Sequence, residues 1–105
     1  MGHPRPKPAR LAEKLLQIRL SLGLSQQQIH RLLGVEDLIA YNEISKYELG
    51  KNEPYLQILL QYARLAGVHT EALIDDELDL PAKLPGDVRH EEITRKYAPR
   101  TGRKR

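Results

Sequence analysis

Apolar residues recur along this chain at the intervals of an α-helix, and each run is cut off by glycine, proline or an acidic stretch. Leu11, Leu15, Ile18 and Leu22 form the first stripe, with Lys14, Gln17 and Ser21 off it. That helix can begin at Ala9, once the prolines at 4, 6 and 8 are passed, and it belongs to the core. Gly23 can close it in a left-handed conformation, and Ser25 can cap the next helix through its hydroxyl. The second helix starts near Gln26, carries Ile29, Leu32 and Leu33, and stops at Gly34 and Val35. After a polar and acidic connection, Ile44 to Leu49 resumes a helix that ends at Gly50, and Pro54 excludes any continuation. Leu56, Leu59, Leu60, Ala63 and Ala66 mark a fourth helix, closed by Gly67. A short fifth begins near His69 or Thr70, carries Ala72, Leu73 and Ile74, and ends in the acidic run Asp75, Asp76, Glu77 and Asp79.

This pattern predicts an all-α, five-helix domain over residues 9–80. The chain has 105 residues, room for one compact domain and two tails. Residues 1–8, proline-rich and basic, read as a flexible arm. Residues 81–105 read as a basic, largely disordered tail, because Pro81, Pro85 and Gly86 break the pattern and little remains to bury. Val88, Ile93 and Tyr97 suit at most a brief helix there.

Charge is unevenly spread. Residues 1–20 carry five basic groups against Glu13, net +4, and residues 81–105 carry eight basic against three acidic, net +5. Residues 21–80 hold four basic and ten acidic groups, net −6. There is no cysteine, so neither disulfides nor thiolate metal sites are available, which fits a reducing cytoplasm. No apolar run approaches the ~18 residues of a membrane span.

The second and third helices form a pair that would push the polar start of the third outward, an arrangement able to meet a nucleic-acid groove. Several motifs occur in order: Gly23-Leu24-Ser25-Gln26, Leu33-Gly34-Val35, Ile44-Ser45-x-Tyr47-Glu48-x-Gly50, Glu53-Pro54 and Ala66-Gly67-Val68. Together they resemble the lambda-repressor-like (XRE) family of bacterial helix-turn-helix DNA-binding proteins, over Leu11 to Leu80.

The resemblance implies a transcriptional regulator, a repressor, that binds double-stranded DNA as a homodimer and needs no cofactor. The third helix, about 41–49, would be the recognition helix, directing Asn42, Ser45 and Lys46 to the major groove with Tyr41 at the approach. Asparagine offers a donor and acceptor pair suited to adenine, and lysine donates to guanine or to phosphate. Gln26, with Gln27 as a weaker companion, takes the family's contact to the DNA backbone, and Lys51 and Asn52 lie where phosphate is commonly met. Arg5, Lys7 and Arg10 could reach neighbouring phosphate from the arm. Arg19 and Glu48 match positions at which family members join the first helix to the recognition helix by an ion pair, a structural role. Leu73, Ile74, Leu78 and Leu80 are candidates for the pairing surface.

Two features depart from the family. Nine residues, Val35 to Glu43, separate Gly34 from Ile44, so the turn is lengthened by a stretch such as Glu36-Asp37-Leu38-Ile39. His30 stands where the family prefers a small residue, so either the longer turn opens the helix angle or His30 swings to the edge.

Other chemistries lack their residues. His3, His30, His69 and His90 are scattered, read as surface histidines, and form no metal set; the acidic run lacks the glycine and terminal glutamate of a calcium loop. There is no recognisable nucleophile motif, so the chain reads as no enzyme. The alternative is an antitoxin or other protein-interaction module whose C-terminal tail binds a partner, with DNA binding kept for autoregulation.

Overall fold

The computed structural model describes residues 7–86, and among them the regular structure is entirely helical. Five helices run in order: α1 Leu11–Ser21, α2 Gln26–Leu32, α3 Asn42–Glu48, α4 Leu56–Ala66 and α5 Thr70–Ile74. The proposed arm up to residue 6, and the tail from residue 87 with Val88, Ile93 and Tyr97, lie outside the described residues.

Helix α1 is the hub. It packs against α3, α4 and α5, while α2 rests on α3 and α4 on α5. Leu11, Leu15, Ile18 and Leu22 are all buried, as their spacing requires. At its end the Gly23 amide donates to the Leu20 carbonyl and the Leu24 amide to the Arg19 carbonyl, the pair of bonds that turns a chain sharply out of a helix. Gly23 sits there at φ 70°, a conformation an L side chain resists.

Lys14, expected off the buried stripe, is fully buried. Its methylene stem lies in the core, and its Nζ donates to the carbonyls of Ala72 at 2.7 Å and Asp75 at 2.8 Å. The ammonium thus caps the C-terminal end of α5, where carbonyls lack helical partners and a cation is favoured.

Part of the acidic run is tied to the start of α1. Both Asp76 carboxylate oxygens accept backbone amides just ahead of α1, from Ala9 at 2.8 Å and Arg10 at 2.9 Å. Those bonds hold the Asp76 carboxyl below its ordinary range. Arg10 reaches Asp79 at 2.8 Å and Glu13 at 3.1 Å, and donates to the Asp76 carbonyl. Arg10 thus joins the start of α1 to the acidic run.

Helix α4 buries a face rotated from the expected one. Ile58, Leu59, Tyr62, Ala63 and Ala66 are inside, whereas Leu56 is 80% exposed and Leu60 lies at the margin. Apolar residues cover more than half of this helix, so only packing against α1 and α5 decides which flank turns inward.

Packing also continues beyond Leu80, where the sequence pattern ended. Leu80 and Leu84 are both buried. Gly86 lies so close to the α4 terminus that a Cβ there would collide with the Leu65 and Ala66 carbonyl groups, and a Cβ on Gly67 would meet Gly86 in return. Two glycines are what let these backbones touch. Leu73 and Leu80 are core residues and unavailable for pairing, a correction to the expected surface; Ile74 and Leu78 remain exposed.

Candidate nucleic-acid interface

Helix α2 opens with a reciprocal cap. The Ser25 hydroxyl accepts from the Gln28 amide at 3.0 Å, and the Gln28 side-chain oxygen accepts from the Ser25 amide at 2.8 Å. Its first turn is thereby held by its own side chains.

The lengthened turn after α2 is anchored rather than loose. The amides of Leu38 and Ile39 both donate to the Val35 carbonyl, winding one turn of helix that buries Val35 and Ile39. His30 is 8% exposed, and its Nε2 lies 2.7 Å from the Ile39 carbonyl. A carbonyl only accepts, so Nε2 carries the proton. His30 is neither swung to the edge nor a surface histidine: it bonds the added turn to α2. The two departures from the family pattern thus form one contact.

Helix α3 follows, with Tyr41 just before it and 54% exposed. Ile44 and Tyr47 are buried against the core, and burial pushes the Tyr47 phenol up to about 12. The other face presents Asn42, which is exposed, with Ser45 and Lys46 partly exposed. Spacing of three and four places Asn42, Ser45 and Lys46 on one side.

A buried node fixes the angle of α3. Arg19 Nε donates to Glu48 Oε2 at 2.7 Å and Nη2 to Oε1 at 3.0 Å, a two-pronged pair whose side chains are 15% and 5% exposed. Glu48 raises the Arg19 guanidinium above its ordinary value through those bonds. Arg19 Nη1 also donates to the Leu24 carbonyl at 3.0 Å, which ties in the turn between α1 and α2. Gln26 joins the same carboxylate, its amide donating to Glu48 Oε1 at 3.0 Å. Gln26, assigned to the DNA backbone by the resemblance, gives one of its two amide protons to Glu48 and is half-buried, while Gln27 is exposed.

A second node lies on the outer face, around a residue that motif reading passed over. Glu43 Oε2 accepts from Lys46 Nζ at 3.2 Å, and Oε1 accepts from Asn52 Nδ2 at 3.1 Å. These two donors, Asn52 first, hold the Glu43 carboxyl below its ordinary range. The backbone repeats the closure, since the amides of Lys51 and Asn52 turn back to the Lys46 carbonyl, at 2.9 and 3.4 Å. Lys46, Lys51 and Asn52 are therefore neighbours, and two of them share Glu43. The i, i+3 spacing of Glu43 and Lys46 was visible in the sequence; the Asn52 contact needed the chain reversal at Gly50.

Among the described residues no group of histidines and carboxylates is arranged to hold a metal ion, and no helix is long and apolar enough to cross a membrane.

A helix pair, the first side-chain capped and the second presenting a polar outer face and clamped from behind, defines a helix-turn-helix. The chain matches the helix-turn-helix family model over residues 15–73, more than half of its length, and belongs to that family, of the lambda-repressor-like (XRE) type. It is 39% identical over 62 residues to the SPbeta prophage-derived uncharacterized HTH-type transcriptional regulator YonR of Bacillus subtilis (strain 168), across 59% of this chain and 54% of that protein. The chain spans about half the length of this curated relative. No solved structure matches at a significant level.

Proposed function

We propose that this protein binds double-stranded DNA sequence-specifically, with α3 in the major groove, and regulates transcription as a repressor in a bacterial cytoplasm. Asn42, Ser45 and Lys46 read base edges, Tyr41 lies at the approach, and Gln27, Lys51 and Asn52 meet the backbone. Gln26 holds Glu48 with one amide proton and offers the other to the DNA backbone. One observation carries the reading: α3 buries Ile44 and Tyr47, is clamped at Glu48 by Arg19, and turns its polar residues outward. A rigid helix with a free polar side is what direct readout requires.

So short a helix reads few base pairs, so the protein acts as a homodimer on a two-fold site, with the exposed Ile74 and Leu78 as candidates for the pairing surface. Selection of bound sites from a random duplex pool tests the proposal. A defined sequence should emerge, and changing Ser45 and Lys46 together to alanine should flatten the preference for it. Recovery of no preferred sequence, or a preference unchanged in the double variant, would refute the assignment of α3.

A further inference from the structure

Glu43 is an acid in the very stretch that the proposed function sends into a polyanion. A carboxylate there repels phosphate, so a surface selected only for affinity would exclude it. It is nevertheless well held: its side chain is 26% exposed, with one oxygen bonded to Lys46 and the other to Asn52. Both partners are residues assigned to DNA, and they come from two segments of the chain, one inside α3 and one beyond Gly50.

We infer that Glu43 is a specificity-determining residue, which holds Lys46 and Asn52 as aimed donors and withdraws the Lys46 charge from indiscriminate contact with phosphate. The inference rests on the DNA-binding reading of α3. Lysine is a flexible point charge, with three donors on a long stem, and when free it pairs with whatever phosphate is near. With one donor given to Glu43, the ammonium is restrained and its remaining donors can be met only by acceptors in a particular place. Asn52 is restrained in the same way, keeping one amide proton for the DNA backbone. On a mismatched duplex, Lys46 can neutralise a phosphate only by leaving Glu43, which then faces the polyanion without its cation. A matched sequence satisfies the donors where they stand. The acid thus weakens wrong complexes more than the right one, which is how discrimination arises.

The test uses the full chain and two duplexes, one recovered by selection from a random pool and one of scrambled sequence, titrated across a range of salt concentrations. Glu43→Gln keeps the shape and removes the charge. The scrambled duplex should bind this variant severalfold tighter while the selected duplex gains less, so that the ratio of affinities falls at least about threefold. The salt slope on the scrambled duplex should steepen by about 0.9, one added phosphate contact. Adding Lys46→Met to Glu43→Gln should abolish that increment. Equal tightening of both duplexes, or an unchanged slope, would overturn the inference while wild-type discrimination left the α3 reading intact. A wild-type protein that binds both duplexes equally would overturn the reading itself, and this inference with it.

Discussion

Glu48 receives three donors in a setting almost closed to water, two from Arg19 and one from Gln26. Removing the carboxylate leaves a guanidinium 15% exposed and an amide without their acceptor. Glu48→Ala is expected to cost roughly 3 kcal/mol, the range for breaking one side of a buried pair. Urea unfolding measures it, and a loss below about 1 kcal/mol would place the pair among surface bridges that contribute little. Lys14 makes the complementary point: a lysine beside a hydrophobic stripe reads as a solvated charge, but here the carbonyls at the end of α5 receive it. Those acceptors lie some 60 positions away in the chain, so local spacing gives no sign of them.

Among the elements, the segment following α5 behaves as part of the domain. Leu80 and Leu84 anchor it in the core, and the contact between Gly86 and the end of α4 allows no side chain between them. Gly86→Ala should therefore destabilise the fold by roughly 1–3 kcal/mol, the usual cost of forcing extra volume into a packed site. The midpoint of chemical denaturation reports it, and an unshifted midpoint would mean that the segment does not stay docked in solution. The lengthened turn ahead of α3 was legible as an insertion, yet its order was not. Val35 and Ile39, four apart, fold it into a helical turn, and His30 donates to the Ile39 carbonyl. A histidine where a small residue is usual becomes understandable only with that carbonyl beside it.

Over the whole molecule, charge and shape divide the work. The span from residue 21 to 80 carries net −6, and much of its acid is internally engaged: Asp76 and Asp79 with the start of α1, Glu48 with Arg19, Glu43 with Lys46 and Asn52. The basic excess resides near the two ends. Deleting residues 1–8 or 96–105 should accordingly weaken binding to every duplex alike and lessen the salt slope, with the ranking of sequences unchanged. Binding isotherms at several salt concentrations for a panel of duplexes provide the check. If either deletion abolished the ranking, base reading would belong to the ends and not to α3.

Helix positions, their stop signals and the apolar stripe that α1 buries were determined by the sequence alone, because periodicity and glycine or serine at helix ends act within a few residues. So was the expectation that Arg19 meets Glu48, although it came from resemblance to a family and not from local pattern. Tertiary structure alone decided which flank of α4 is buried, where Lys14 and His30 find their acceptors, how far the core extends past Leu80, and that Glu43 unites Lys46 with Asn52. The reason is physical: each of these depends on a backbone or side-chain partner brought near by folding, and a buried polar group is placed by the partner that satisfies it rather than by its neighbours in the chain.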